Sequence, residues 1–209
     1  MSDKRKTKVY AFGFDGTLTR RDPLIAFIRF SRGSITLAYG MALLWPMLLL
    51  AGLRLYDRGK CRERLFHFFF HDMSTDYFDD LCEHFARRRR RIIRAKGMER
   101  VGQAVREGCQ VVVVCSCPES LARPFFEQAG FTTTGHSPQV RIVGTRPELR
   151  GCWLTGRFAS PYCYGREKVS RLREVYPFRR DCRIVAFGSG RADREMMEFA
   201  DDGYVEPFK

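Results

Sequence analysis

Apolar and polar positions fall in blocks along this chain, and the blocks predict its elements. Residues 8–15, KVYAFGFD, form an apolar run closed by the turn signal Gly16-Thr17, which reads as a buried strand. Val111 to Val114 make a second such run and Arg183 to Phe187 a third, with a last short strand at Tyr204-Val205. Between the first two lies a long helical stretch, about 23 to 96, rich in Phe, Leu and Arg. A helical pattern also follows Cys115-Ser116-Cys117-Pro118, and residues 139–157 read as a short hairpin around Pro147 and Gly151. A helix starts near Gly165 with Val169, Leu172 and Val175 on one face, and Arg191 to Ala200 reads as another. Strands alternating with helices imply a parallel sheet whose functional groups gather at the C-terminal ends of its strands.

Inside the helical stretch, Gly33 to Leu53 runs for 21 residues without a charge. At ~1.5 Å rise per residue, ~20 apolar residues are enough to cross a bilayer. A single span would separate the strand at 8–15 from those at 111–114 and 183–187, although all three belong to one sheet. Pro46 also interrupts the run. Two short apolar helices are therefore expected, either docked on a membrane face or buried within a cap. The flanking Arg20, Arg21, Arg29, Arg32, Arg54, Arg58, Lys60, Arg62 and Arg64 would suit anionic headgroups.

Composition sharpens this picture. With 209 residues, 44% hydrophobic and 29% charged, the chain reads as globular, with room for one sizeable core and a smaller inserted unit. A net charge of +13 favours anionic partners, namely a phosphorylated small molecule or an anionic lipid headgroup met through residues 34–55. Nucleic acid is not expected, because there is no zinc-knuckle spacing and no aromatic-basic RNP pattern. The eight cysteines are scattered, and the basic start MSDKRKTK leads into a strand-like stretch rather than a signal-peptide run. A cytoplasmic location with free thiols is the expectation, peripheral to the inner face of a membrane if the apolar run docks.

Four segments carry chemistry. Phe12-Gly13-Phe14-Asp15-Gly16-Thr17-Leu18-Thr19 closes the first strand and VVVVCSCPE the second. Tyr164-Gly165-Arg166-Glu167-Lys168-Val169 opens a helix, and Phe187-Gly188-Ser189-Gly190-Arg191-Ala192-Asp193 closes the third strand. In that order they resemble the four motifs of haloacid dehalogenase (HAD) superfamily phosphatases, over essentially the whole chain. The branch they most resemble is the phosphoserine-phosphatase-like one, and the apolar, arginine-flanked insert is similar to the cap of bacterial phosphatidylglycerophosphate phosphatases. The resemblance implies an α/β fold, a Rossmann-like parallel-sheet core from residues 1–22 and 97–209, with an all-helical cap, 23–96, inserted.

It also implies a chemistry. In such enzymes an aspartate attacks phosphorus, and a second carboxylate two residues later serves as acid and base. Magnesium is held by oxygen ligands that include the nucleophile and a fourth-motif aspartate, while a hydroxyl and a lysine neutralise the phosphoryl oxygens. Placed on that scheme, the nucleophile position is Gly13, which has no side chain, and the acid/base position is Asp15. Thr17, Cys115 and Lys168 fall at phosphate-binding positions, with Cys115 replacing the usual hydroxyl by a poorer donor. At the metal positions stand Ser189, a weak neutral ligand, and Asp193. The expectation is a phosphatase homologue without catalysis and without a bound cofactor, retaining anion or membrane-surface binding. An altered version of an active magnesium-dependent phosphomonoesterase, phosphoserine- or phosphatidylglycerophosphate-phosphatase-like, is the alternative, and a membrane-binding scaffold is a third reading.

Other patterns are weighed against plainer roles. Cys117 to Arg123 and Cys82 to Arg88 both fit Cys-x5-Arg, but eight cysteines among many arginines make chance matches expected. Cys115, Cys117 and Cys163 would suit a soft metal, and equally a set of small buried residues. His67 and His71 lie one helical turn apart among Phe66, Phe68, Phe69 and Phe70, so aromatic packing is the expected role. Arg87 to Arg91 reads as a solvated helix face, with an anion-binding role as the alternative.

Overall fold

The structure, a computed structural model, describes residues 6–53 and 55–209. Residues 1–5 of the basic start, and Arg54 among the arginines flanking the apolar run, lie outside the described residues.

A five-stranded, all-parallel sheet forms the centre: β1 (Thr7–Gly13), β2 (Gln110–Pro118), β3 (Val140–Thr145), β6 (Cys182–Gly188) and β7 (Asp202–Val205), in the order β3-β2-β1-β6-β7. Both faces are covered, which is why β1 and β2 read as continuous apolar runs rather than alternating ones. Val9, Ala11, Val112 and Val114 face one layer with Leu172 and Met196, and Tyr10, Phe12, Val111 and Val113 face the other. From β1 the chain moves outward through β2 to β3, then returns to the far side of β1 at β6. That reversal between β1 and β6 is the crevice where α/β sheets place ligands.

Between β1 and β2 come α1 (Pro23–Arg32), α2 (Ser34–Leu43), α3 (Trp45–Gly52), α4 (Arg58–Phe70), α5 (Thr75–Arg88) and α6 (Ala95–Arg106). Departing and returning chains run side by side: Arg20 N donates to Ile92 O (2.8 Å) and Arg94 N to Leu18 O (2.8 Å). Phe27, Phe66, Phe70, Phe78 and Phe85 pack the insertion, with Phe27 centred 5.3 Å from Phe70 and 5.4 Å from Phe85. Asp22, Asp57 and Ser74 start α1, α4 and α5 by accepting from the amides of Ile25, Lys60 and Tyr77. No single helix among the described residues is long and apolar enough to cross a membrane. The uncharged run instead makes α2 and α3, bent 72° from each other. Pro46 sits in the first turn of α3, where a missing amide costs no hydrogen bond.

The expected hairpin at 139–157 is corrected. Its first half, β3, is the outer parallel strand of the sheet, and the antiparallel hairpin is β4 (Pro147–Arg150) with β5 (Trp153–Phe158). That hairpin lies on the insertion: Leu154 N donates to Met73 O (2.8 Å), and the rings of Phe66 and Phe158 are centred 5.4 Å apart. Two boundaries also shrink. The first strand ends at Gly13 rather than Asp15, because the chain turns sharply at Gly16 with φ +77°. The helix expected at Arg191 to Ala200 is only α9 (Arg194–Phe199), since Gly190, at φ +65°, holds the preceding loop open. Between β2 and β3 runs α7 (Glu119–Glu127), and after β5 comes α8 (Arg166–Val175), whose buried face carries Lys168, Arg171 and Leu172 rather than Val169.

Candidate functional site

Gly13 closes β1 in an extended conformation, φ −65° and ψ 136°, that any residue can adopt. What distinguishes it is space. A Cβ built there would lie 2.7 Å from Asp193 Cγ and 2.8 Å from Asp193 Oδ1. The Asp193 carboxylate, delivered by the loop after β6, occupies the volume that a side chain at position 13 would need. It is fully buried and held from three directions. Lys168 Nζ approaches Oδ1 at 2.6 Å, while the Thr17 hydroxyl and the Ser189 amide each donate to Oδ2 at 2.8 Å. Thr17 also contacts Ser189 Oγ at 2.9 Å, so the first and fourth motif loops are stitched across the crevice.

Burial works against the charge on Lys168, but the carboxylates of Asp193 and Asp15 outweigh it and hold its ammonium above the ordinary lysine range. Asp15, two residues past Gly13, moves upward for a carboxyl. Its burial is the main cause, and Lys168 and a hydrogen bond from the Ser116 amide (2.5 Å) pull only partly the other way. Above this floor, Arg62 of α4 pairs with Asp22 at the start of α1. The Tyr162 hydroxyl, pushed up by burial, and the Arg58–Tyr164 contact (2.6 Å) close the side nearest the β4–β5 hairpin.

The structure therefore brings together Gly13, Asp15, Thr17, Lys168, Ser189 and Asp193 as the motif spacing implied. Cys115 stands apart: its thiol donates to Val143 O at 3.5 Å, toward β3. Its neighbour Ser116 supplies the amide to Asp15 and has a buried hydroxyl without a hydrogen-bond partner. Sequence reasoning did not single out Ser116, Asp22 or Tyr162, and it read Arg62 as a headgroup-facing arginine rather than as the partner of Asp22. Its place beside Cys115 at the end of β2 was a usable signal for Ser116, whereas no motif marks the other three.

Magnesium, the cation that the resemblance implies, asks for near-octahedral oxygen ligands, mostly anionic or water. At this crevice the chain offers two carboxylates, Asp15 and Asp193, and both oxygens of Asp193 are already engaged. A lysine ammonium stands 2.6 Å from one of them, where a divalent cation would be repelled. Among the described residues there is no group of three or more His, Cys, Asp or Glu arranged to hold a metal. These residues do not fit the ion. Cys115, Cys117 and Cys163 are buried, and the His67 and His71 rings lie tilted at 49° to each other with centroids 4.5 Å apart. Cys117 and Cys82 are raised by burial well above the usual thiol range, which keeps both protonated and poorly nucleophilic. Arg87 to Arg91 are all exposed.

A parallel sheet with a lysine, a threonine and two carboxylates at its switch point offers the kind of crevice in which open α/β folds hold ligands. The haloacid dehalogenase-like hydrolase family model matches residues 11–198, and the chain belongs to that family. It is 30% identical over 201 residues to Protein CicA of Caulobacter vibrioides, covering 93% of this chain and 84% of the relative. Among solved structures, it resembles a protein of unknown function from Bordetella pertussis Tohama I (TM-score 0.73, 17% identity, 92% and 86% of the two chains). It also resembles a phosphoserine phosphatase captured as a phospho-aspartyl intermediate analogue (TM-score 0.59, 16% identity, 96% and 85%). The fold is thus the phosphoserine-phosphatase-like form of the HAD core.

Proposed function

We propose that this chain is a catalytically silent member of the HAD family, keeping the scaffold and the phosphoryl-site lysine without the attacking carboxylate or the cation. One observation carries the reading: the Asp193 carboxylate fills the space beside Gly13 and neutralises Lys168. Gly13, at the end of β1, offers no oxygen nucleophile, and removing a covalent nucleophile elsewhere costs about a millionfold in turnover, or roughly 8 kcal/mol of barrier. Asp15 sits at the acid/base position but has no attack to assist.

The retained residues then serve the fold. Lys168 and Thr17 would meet phosphoryl oxygens in an active relative, yet here Asp193 already satisfies both. A phosphate entering the crevice must displace a buried carboxylate, so inorganic phosphate is expected to raise the melting temperature little. It should raise that of Asp193→Asn more.

Hydrolysis of p-nitrophenyl phosphate and phosphoserine with magnesium tests the proposal. Turnover should not exceed the protein-free rate, and ~1 per second would overturn it. Gly13→Asp combined with Ser189→Asp addresses the alternative. Recovered hydrolysis in that double variant would support an altered form of a magnesium-dependent phosphomonoesterase, because Asp15, Thr17, Lys168 and Asp193 remain family-like.

A further inference from the structure

The α2–α3 hairpin is apolar on the side that faces the protein and apolar on the side that faces away. Inward, Gly40 lets α2 lie directly on α4, where an added Cβ would be 2.5 Å from Phe69 Cζ and 2.8 Å from Phe68 Cε1. Leu37, Met41 and Leu44 pack against the same core, and Ala51 is buried. Outward stand Ile35, Tyr39, Leu43, Trp45, Leu49 and Leu53, with Ile35 88% and Leu53 60% exposed. A helix lying on a protein in water carries polar residues on its outer face, and a contiguous apolar surface of this kind marks an interaction site.

Charge identifies the partner. No acidic residue occurs from Pro23 to Tyr56, while Arg29 and Arg32 at the end of α1 and Lys60 and Arg64 in α4 are exposed beside the hairpin. Length sets the mode. The 10 residues of α2 and 8 of α3 are each far shorter than the ~20 needed to span a bilayer, and the bend between them is 72°. We propose that the α2–α3 hairpin docks this chain in the plane of an anionic phospholipid surface, its outer apolar face in the headgroup–acyl boundary and the neighbouring basic residues on the headgroups. This surface is separate from the crevice at Gly13, so it stands whether or not the chain hydrolyses phosphate.

The chain carrying Trp153→Phe keeps Trp45 as its one tryptophan. It would be mixed with vesicles of phosphatidylcholine alone and of phosphatidylcholine with phosphatidylglycerol, following co-sedimentation and Trp45 emission. The expected result is co-sedimentation with a blue shift on the anionic vesicles, at least about tenfold tighter than on the neutral ones. Both effects should be lost in Leu43→Glu with Leu49→Glu. Those positions are exposed, so circular dichroism should be unchanged. If that pair misfolds, Ile35→Ser with Leu53→Ser takes its place. Failure to bind anionic vesicles, or equal binding to neutral ones, would overturn the proposal. So would a lipid-free dimer that hides Trp45 and is lost in the same variants, since the hairpin would then serve a second copy.

Discussion

Lys168 and Asp193, 25 positions apart, form a 2.6 Å ion pair in which neither side chain is exposed. A buried pair of this kind contributes little net stability as a pair, but removing one member strands the other. Asp193→Asn removes the carboxylate hydrogen-bonded to the Lys168 ammonium, leaving Asp15 as the remaining one that favours its charge, and should cost about 3–5 kcal/mol in urea denaturation. Lys168→Met with Asp193→Asn should recover much of that loss, because the remaining amide still accepts from Thr17 and Ser189. The sign of the pH effect follows. The folded Lys168 value lies above its unfolded 10.5, so the stabilisation is complete below that pH and lost as pH rises through the folded value. The wild type should show a steeper alkaline fall in melting temperature than Lys168→Met.

Gly13→Asp by itself should not create a phosphatase. Its Cβ would enter the Asp193 carboxylate, 2.7 Å from Cγ, and place two carboxylates in one buried space. Overpacking alone costs about 1–3 kcal/mol, and like charges add to it. A lowered melting temperature, partly restored by adding Asp193→Asn, is the expected result. A stable single variant would show that the Asp193 loop moves aside readily.

Asp15 should destabilise the protein once ionised. Burial raises its folded value above the unfolded one, so the folded state holds its proton longer. Its contribution favours folding at low pH and declines as pH climbs from about 4 upward. Asp15→Asn, which still accepts from the Ser116 amide, should melt higher than wild type at neutral pH and lose that advantage in acid. Paired thermal scans at several pH values read this directly.

Thiol labelling under native conditions should discriminate sharply among the cysteines. Cys152 is exposed and should react first with iodoacetamide, followed by the half-exposed Cys109. Cys82, Cys117 and Cys163, buried and raised above the ordinary thiol range, should react only after unfolding. Mass spectrometry of timed digests gives the order. Early modification of Cys117 would reopen a thiol role for Cys117 and Arg123.

The sheet was legible because a strand buried on both faces must be apolar throughout, and Val111 to Val114 admits few other readings. The motif loops were legible because their residues follow strand ends closely. The strand at Val140 was not, since six residues near a Pro- and Gly-punctuated hairpin give no local sign of which sheet they join. Asp22 and Tyr162 were silent, and Arg62 was read toward lipid headgroups, for a similar reason: the three converge above the crevice from separate segments.

Sequence alone determined that a glycine stands at position 13 and a serine at position 189, and that an uncharged run interrupts the insert. These are statements about which atoms exist, and no fold can supply a missing carboxylate. Only the tertiary structure decided where the remaining carboxylate goes and which face of the apolar run meets solvent. Asp193 turns into the space beside Gly13 because Lys168 and Thr17, distant in the chain, offer partners there. The hairpin's outer face stays bare because Gly40 seats its other face on Phe68 and Phe69, a contact set by shape between residues almost 30 positions apart.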